Sequence, residues 1–140
     1  MEQLYYKYVK MDLEQFAVFE ENIPQKLDGL KFQTQVQFDY DKAQNVLCCK
    51  ITITFSEDGK PLMKAVMCSY FSISKDSLDQ IRNEQDQFVF APYMLIQFSS
   101  LNYGSLRGVL YLKTIGTKLA EHILPPIYFG QIIDKPFVVE

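Results

Sequence analysis

Residues 32–40, FQTQVQFDY, put Phe32, Val36, Phe38 and Tyr40 on one side of an extended chain and Gln33, Gln35, Gln37 and Asp39 on the other. Side chains alternate across a strand, so this period-two pattern describes a strand with one wet face and one face that must be covered. The turn chemistry of DYDKAQN follows, and VLCCKITITF (46–55) then alternates again, with Leu47, Cys49, Ile51, Ile53 and Phe55 inward and Lys50, Thr52 and Thr54 outward. SEDGKP supplies a hairpin loop around Asp58-Gly59. LMKAVMCSYFSI (62–73) is a third strand, apolar on both faces apart from Lys64, which is the pattern of a strand with a second layer over it. LYYKYVKMDL (4–13) completes the set at the N-terminus. The expected sheet is a four-stranded antiparallel meander.

Between the first strand and the meander, FAVFEENIPQKLDGL (16–30) is rich in apolar side chains yet broken by Pro24 and Gly29. Loops of this length are uncommon in small domains and are often functional. After the sheet, SKDSLDQIRN (74–83) offers Ser74 or Asp76 as N-cap with Leu78 and Ile81 on one face, which predicts a short helix. A second helix starts near Pro92 and runs through YMLIQFSSLNYGSLRG (93–108), with Leu95, Phe98, Leu101, Leu106 and Val109 as its apolar face. Ser100, Gly104 and Gly108 recur every fourth residue and form a stripe almost without side chains. Either a second helix or a symmetry mate approaches closely there, or the helix simply ends at Gly104 or Gly108. The remaining chain has turns at Gly116, Pro125-Pro126 and Gly130, and PFVVE at its end either adds a short strand or stays loose. No linker, repeat or low-complexity stretch divides the 140 residues, so a single domain over 1–140 is expected.

Composition excludes several classes. Fourteen Lys and Arg spread along a chain of net charge -3 provide no basic patch, so no nucleic-acid partner is expected. No segment has the pattern of a signal peptide or the length of a membrane span, which makes a cytoplasmic protein without membrane insertion the default. Cys48, Cys49 and Cys68 lack zinc-ligand spacing and are expected as free thiols, with no metal or cofactor. A phosphate-cradling glycine loop and a GxSxG elbow are missing. His122 is the only histidine, and the acids Asp39 with Asp41 and Glu20 with Glu21 fit solvated positions, so no catalytic residue is assigned and an enzyme is not expected. Arg107 suits the end of the helix or a salt bridge. Eleven Phe and nine Tyr exceed what a core of this size needs, which predicts aromatic surface or an aromatic subunit interface.

The order of these parts resembles the bacterial export chaperone SecB and its SecB-like relatives. VFEENIP (18–24) is similar to the Phe-Glu and following proline that open the family's crossover loop, YFSI (70–73) to the end of its last strand, and APY (91–93) to the start of its main helix. Arg107-Gly108 resembles that helix's Arg-Gly end, and ILPPIYF (123–129) the Leu-x-Pro-hydrophobic-x-Phe segment beyond it. The resemblance implies an α+β fold, a four-stranded antiparallel meander sheet with a long crossover loop after its first strand and helices packed on one face, and an ATP-independent holdase that binds unfolded or partly folded client polypeptide in apolar grooves between crossover loop, second strand and C-terminal segment. The residues it places there are Phe16, Phe19, Ile23, Leu27, Leu30 and Phe32, with Tyr128 and Phe129 opposite. It also implies a homo-oligomer, a dimer of dimers, with Ser100, Gly104, Arg107 and Gly108 at the interface. Glu20 matches one of the acids with which the family docks on the translocase motor, but by the resemblance Phe16 and Lys64 stand at the positions of two others, and no zinc-binding tail is expected; the reversed charge at Lys64 opposes that docking. The alternative is an adaptor of the same fold that binds one folded partner.

Overall fold

A computed structural model describes residues 3–122 and 124–140. Four long strands, β1 (Tyr6–Val18), β2 (Lys31–Asp41), β3 (Val46–Glu57) and β4 (Lys60–Ile73), form one antiparallel sheet in the order β1-β4-β3-β2. β2, β3 and β4 are successive hairpin partners, and the chain between β1 and β2 crosses the end of the sheet to reach the opposite edge. α1 (Lys75–Gln80), β5 (Phe88–Phe90), α2 (Pro92–Thr114) and β6 (Phe137–Val139) follow, with β5 and β6 paired as a small second sheet. The α+β arrangement read from the sequence is the one observed.

The inward row of β3 lies where alternation puts it: Leu47, Cys49, Ile51, Ile53 and Phe55 are all buried. Met63, Ala65, Met67, Phe71 and Ile73 of β4 lie beside them in register, and Leu95, Phe98, Leu106 and Leu110 of α2 close the core from above. Phe98 and Phe71 have ring centroids 4.6 Å apart, and Tyr6 meets Phe98 edge-on at 4.9 Å. Asn102 extends from the middle of α2 into this apolar layer, and its Nδ2 donates to the Cys49 and Met67 carbonyls at 2.8 and 3.1 Å. The bonds tie helix to sheet across two adjacent strands, at a position the sequence pattern treated as neither apolar nor functional.

Four sequence expectations are revised. First, α2 does not stop at Arg107-Gly108; it continues to Thr114 because Leu106, Leu110 and Thr114 extend the buried stripe at four-residue spacing. Its stop is Gly116, at φ +87° just beyond the C-cap Ile115, a left-handed position that suits glycine. Second, Leu101 faces outward, the inner face being carried by Ser99, Asn102 and Tyr103 instead. Third, β1 runs on to Val18, so Phe16 pairs with Ala65 inside the sheet and the crossover loop shortens to 19–30. Fourth, no second layer covers the outer face of β4 among the described residues. Val66 and Cys68 are buried there because β4 is central and its neighbours carry long side chains, among them Glu14 and Lys50, whose Nζ and Oε1 are 3.0 Å apart. Of the two alternatives for the C-terminus, the strand is the one observed: β5, which carries no alternation signal of its own, pairs Phe88, Val89 and Phe90 with Val139, Val138 and Phe137.

α1 begins where Ser74 accepts a hydrogen bond from Ser77 N at 3.2 Å, one of the two N-caps anticipated, with Leu78 and Ile81 buried. The hairpin at Asp58-Gly59 has both residues at positive φ, 52° and 77°, as a tight two-residue turn requires.

Candidate functional site

β2 is an edge strand. Its ladder to β3 is regular from Lys31 to Asp41, and no strand pairs its other side among the described residues. The outward residues Lys31, Gln33, Gln35, Gln37, Asp39 and Asp41 are exposed, while Thr34, Val36, Phe38 and Tyr40 of the inner row are half-buried. At one end of that row Phe32 is 37% exposed and meets Phe55 edge-on at 4.8 Å. At the other end Phe38 lines an open depression of about 240 Å³ with Leu95, Ile132, Ile133, Pro136 and Phe137, and with the charged Asp134 and Lys135.

The C-terminal segment is anchored to the body at the same two ends. Leu124 lies beside Phe55 and Arg107, whose Nε donates to the Leu124 carbonyl at 3.0 Å, and Ile132 and Ile133 lie beside Phe38. The Tyr103 hydroxyl donates to the Pro125 carbonyl at 2.5 Å, fixing the double-proline corner on α2. The stretch between those anchors carries Tyr128 and Phe129, which have opposite surroundings. Tyr128 is 69% exposed with its ring folded over Gly130, where a Cβ would collide with it. Phe129 is 1% exposed and edge-on to Tyr103 at 5.6 Å. Phe129 was expected on a groove wall and is instead core, because the 3-10 turn at Phe129–Gln131 directs it beneath the segment and against α2. Ile123, the first residue of the ILPPIYF motif, lies outside the described residues.

The crossover loop supplies a further wall. Ile23, Leu27 and Leu30 are half-buried against the core, and Phe19 is half-buried at the loop's start. Phe16 does not join them: it lies on β1, with β4 and β3 between it and β2. Loop and C-terminal segment meet where Lys118 Nζ donates to the carbonyls of Pro24 and Gln25 at 3.3 and 3.1 Å. Of the eight expected client-contact residues, Phe19, Ile23, Leu27, Leu30, Phe32 and Tyr128 therefore retain accessible surface around this end of the molecule. Phe38, Ile132 and Ile133 form a second apolar patch at the other end of β2; alternation marked Phe38 as inward, but nothing in the local pattern marked the two isoleucines.

On the exposed side of α2, Ser100, Gly104 and Gly108 form the small-residue stripe. Among the described residues nothing lies within 4 Å of a Cβ at either glycine, so that face of the helix is open. Leu101, Tyr111, Leu112 and Ile115 are exposed on the same stretch of helix. Arg107, expected at an oligomer interface, is turned toward its own chain's Leu124, because the helix continues past it and the C-terminal segment folds back alongside.

The outer face of the sheet holds a cleft of about 890 Å³ lined by Glu14, Gln37, Asp39, Cys48, Lys50, Cys68 and Tyr70, among others. Its thiols are suppressed as nucleophiles: burial raises Cys48 and, with the neighbouring Cys48 and Glu14, raises Cys68 strongly. Burial also takes Tyr70 up to about 12, and the hydrogen bond from Lys50 lowers the Glu14 carboxylate. On the inner face, burial pushes the Cys49 thiol up to about 12. Among the described residues no three His, Cys, Asp or Glu side chains are placed to hold a metal ion. Arg107 and His122 border a depression of about 10 Å³, room for one water at most and not for a substrate. Among the described residues no helix is long and apolar enough to cross a membrane.

With this geometry in place, the chain was compared with known proteins. No family model matches it, and no curated protein sequence matches it. Among solved structures it is similar to the Mycobacterium tuberculosis SecB-like chaperone Rv1957, solved in complex with a ChAD peptide from the HigA1 antitoxin Rv1956. The TM-score is 0.55 at 15% identity, over 87% of this chain and 90% of that one. The fold is SecB-like. The likeness spans most of both chains, so it describes the fold as a whole and not one short motif within it.

Proposed function

We propose that this chain binds polypeptide in a non-native or extended form, without ATP, along the apolar face bounded by β2, the crossover loop and the C-terminal segment. The observation that carries this reading is the combination at β2: an eleven-residue edge strand with an open backbone, with Phe32 accessible at one end and Ile132 accessible beside Phe38 at the other. An open strand edge offers hydrogen bonds to any extended chain whatever its sequence, and neighbouring apolar side chains accept hydrophobic residues without demanding fixed geometry. That combination suits a holdase. The SecB-like neighbour, which holds an antitoxin peptide, supports a polypeptide as the ligand class.

Polar side chains on the outward row of β2 keep the empty edge from pairing with itself, and Lys31, Asp39 and Asp41 contribute charge to it. Assembly through the exposed face of α2, with Ser100, Gly104 and Gly108 in contact with another copy, belongs to the same proposal: a side-chain-free stripe lets two helices approach closely, and the apolar Leu101, Leu112 and Ile115 beside it would be covered. The proposal includes a cytoplasmic site of action, where newly made chains are still unfolded. Docking on a translocase motor forms no part of the proposal, since by the resemblance Lys64 and Phe16 replace acids.

The test dilutes a chemically denatured model protein into buffer with and without the chain and follows aggregation by light scattering. Suppression is expected at stoichiometric ratios, weakened by Phe32→Ala and Tyr128→Ala. Unchanged aggregation in the presence of the wild-type chain refutes the proposal. A second reading, an adaptor dedicated to one partner, predicts a single stoichiometric complex in pull-downs and no affinity for unfolded chains.

A further inference from the structure

The crossover loop is held by bonds of unequal kind. At its start, Phe19 N donates to the Leu62 carbonyl at 2.9 Å, and Asn22 Nδ2 donates to the Pro61 carbonyl at 2.9 Å. At its end, Gly29 N donates to Glu57 Oε1 at 2.6 Å. Glu57 is only 8% exposed, an unusual position for a carboxylate, and it stands at the last position of β3 beside the Asp58-Gly59 turn. A buried acceptor bonded to a backbone N–H is costly to leave unpaired, so this end of the loop is a fixed anchor. The middle of the loop is different. It is joined to the C-terminal segment by Lys118, an exposed ammonium group whose bonds to the Pro24 and Gln25 carbonyls compete with water.

Lys118 is well placed for such a bond. It opens a 3-10 turn, Lys118–Glu121, whose start is fixed by Thr117 Oγ1 accepting from Leu119 N at 3.2 Å, and Leu119 is buried in the core. The lysine therefore projects from a rigid support toward a loop that has only one 3-10 turn, Glu20–Asn22, of its own. Beneath the loop lie the apolar contacts of Ile23 and Leu27.

We infer that Lys118 is a latch that closes the middle of the crossover loop against the C-terminal segment, with Glu57 as the fixed anchor, and that release of the latch presents Ile23 and Leu27 to a bound polypeptide. The second half of this inference rests on the function proposed above; the latch itself does not. Both latch bonds go to backbone carbonyls, so the device depends on the cation and not on the identity of the loop side chains. A cation of similar reach preserves it and a neutral side chain of similar length abolishes it.

Lys26 lies in the middle of the loop and is exposed, so trypsin reports directly on loop opening. Cleavage after Lys26 is followed by mass spectrometry in the wild type, Lys118→Met and Lys118→Arg, with thermal melting confirming that each is folded. The expected result is cleavage roughly three- to tenfold faster in Lys118→Met, as for loss of one exposed charge-assisted contact, and a near wild-type rate in Lys118→Arg. In parallel, association of a fluorescent, permanently unfolded polypeptide is expected to be several-fold faster for Lys118→Met. Equal cleavage rates in all three proteins overturn the latch. Faster cleavage with unchanged or slower association overturns its role in client capture. If none of the three binds the unfolded polypeptide while Lys118→Met is still cleaved faster, the latch stands and the proposed function falls.

Discussion

Tyr128 and Phe129 are adjacent aromatic residues, and truncating each in turn separates surface from core. Phe129 is 1% exposed and Tyr128 is 69% exposed. A buried aromatic ring removes about 150–250 Å² from water, worth roughly 4–6 kcal/mol at about 25 cal/mol per Å². The unfolded chain already shields part of that area, which lowers the figure to about 3–5 kcal/mol, the range found for Phe→Ala in cores. Loss of the edge-on contact with Tyr103 is included in that range. Phe129→Ala is therefore expected to remove a large part of a stability of about 5–15 kcal/mol and to lower the melting temperature by roughly 10–20 °C. Tyr128→Ala is expected to change stability by less than about 0.5 kcal/mol, as for a surface site, while weakening client binding about 5- to 30-fold, as for an aromatic contact of 1–2 kcal/mol. Urea denaturation with unchanged slope, alongside titration of a labelled unfolded polypeptide, measures both quantities. A Phe129→Ala cost below about 1 kcal/mol would show that the segment does not pack on α2 as described. A Tyr128→Ala variant with wild-type client affinity would remove that ring from the binding face.

Three further outcomes follow from the same coordinates. Alkylation of the native protein at pH 8 is expected to spare Cys49, whose thiol burial pushes to about 12, and to reach the half-buried Cys48 first; rapid modification of Cys49 in peptide mapping would contradict its placement under Ser99. Gly104→Leu meets open space within the chain and replaces a poor helix former, so the subunit should gain about 0.5–1 kcal/mol while any assembly through that face dissociates, and an unchanged mass in light scattering would exclude the stripe as an interface. Lys50 holds the Glu14 carboxylate below its ordinary value of 4.5, so the pair contributes stability above that value and loses it as pH falls through the lowered one. The melting difference between wild type and Glu14→Gln should accordingly be small at neutral pH, shrink with added salt and vanish in acid; a difference that grew on acidification would reverse the assignment.

The sheet was legible because alternation is a local property. Each of Leu47, Cys49, Ile51, Ile53 and Phe55 announces its face through its immediate neighbours, and the burial of all five follows from the two-residue period alone. Ser74 and Pro92 marked helix starts for an equally local reason, since a cap or a first-turn proline acts within a few residues. The motif order from the crossover loop to the double proline was enough to point to a SecB-like fold, which the structural likeness supports at 15% identity. Where α2 ends was misread because two exposed glycines suggest a stop, whereas the burial of Leu106, Leu110 and Thr114 against distant partners overrides their weak local penalty.

Side-chain chemistry along the chain determined the α+β class, the inward rows of the strands, the exclusion of the usual catalytic motifs and the aromatic surplus. Tertiary structure alone decided which aromatics carry that surplus outward. Phe129 is covered because a 3-10 turn and α2 lie over it, and Tyr128 is open because its ring turns back across Gly130. It also decided that Phe16 belongs to a strand, that Arg107 serves its own chain, and that Glu57 and Lys118 reach the crossover loop from 28 and 94 residues away. Contacts over such separations depend on how the sheet and the C-terminal segment pack together, and no periodicity in the sequence encodes them.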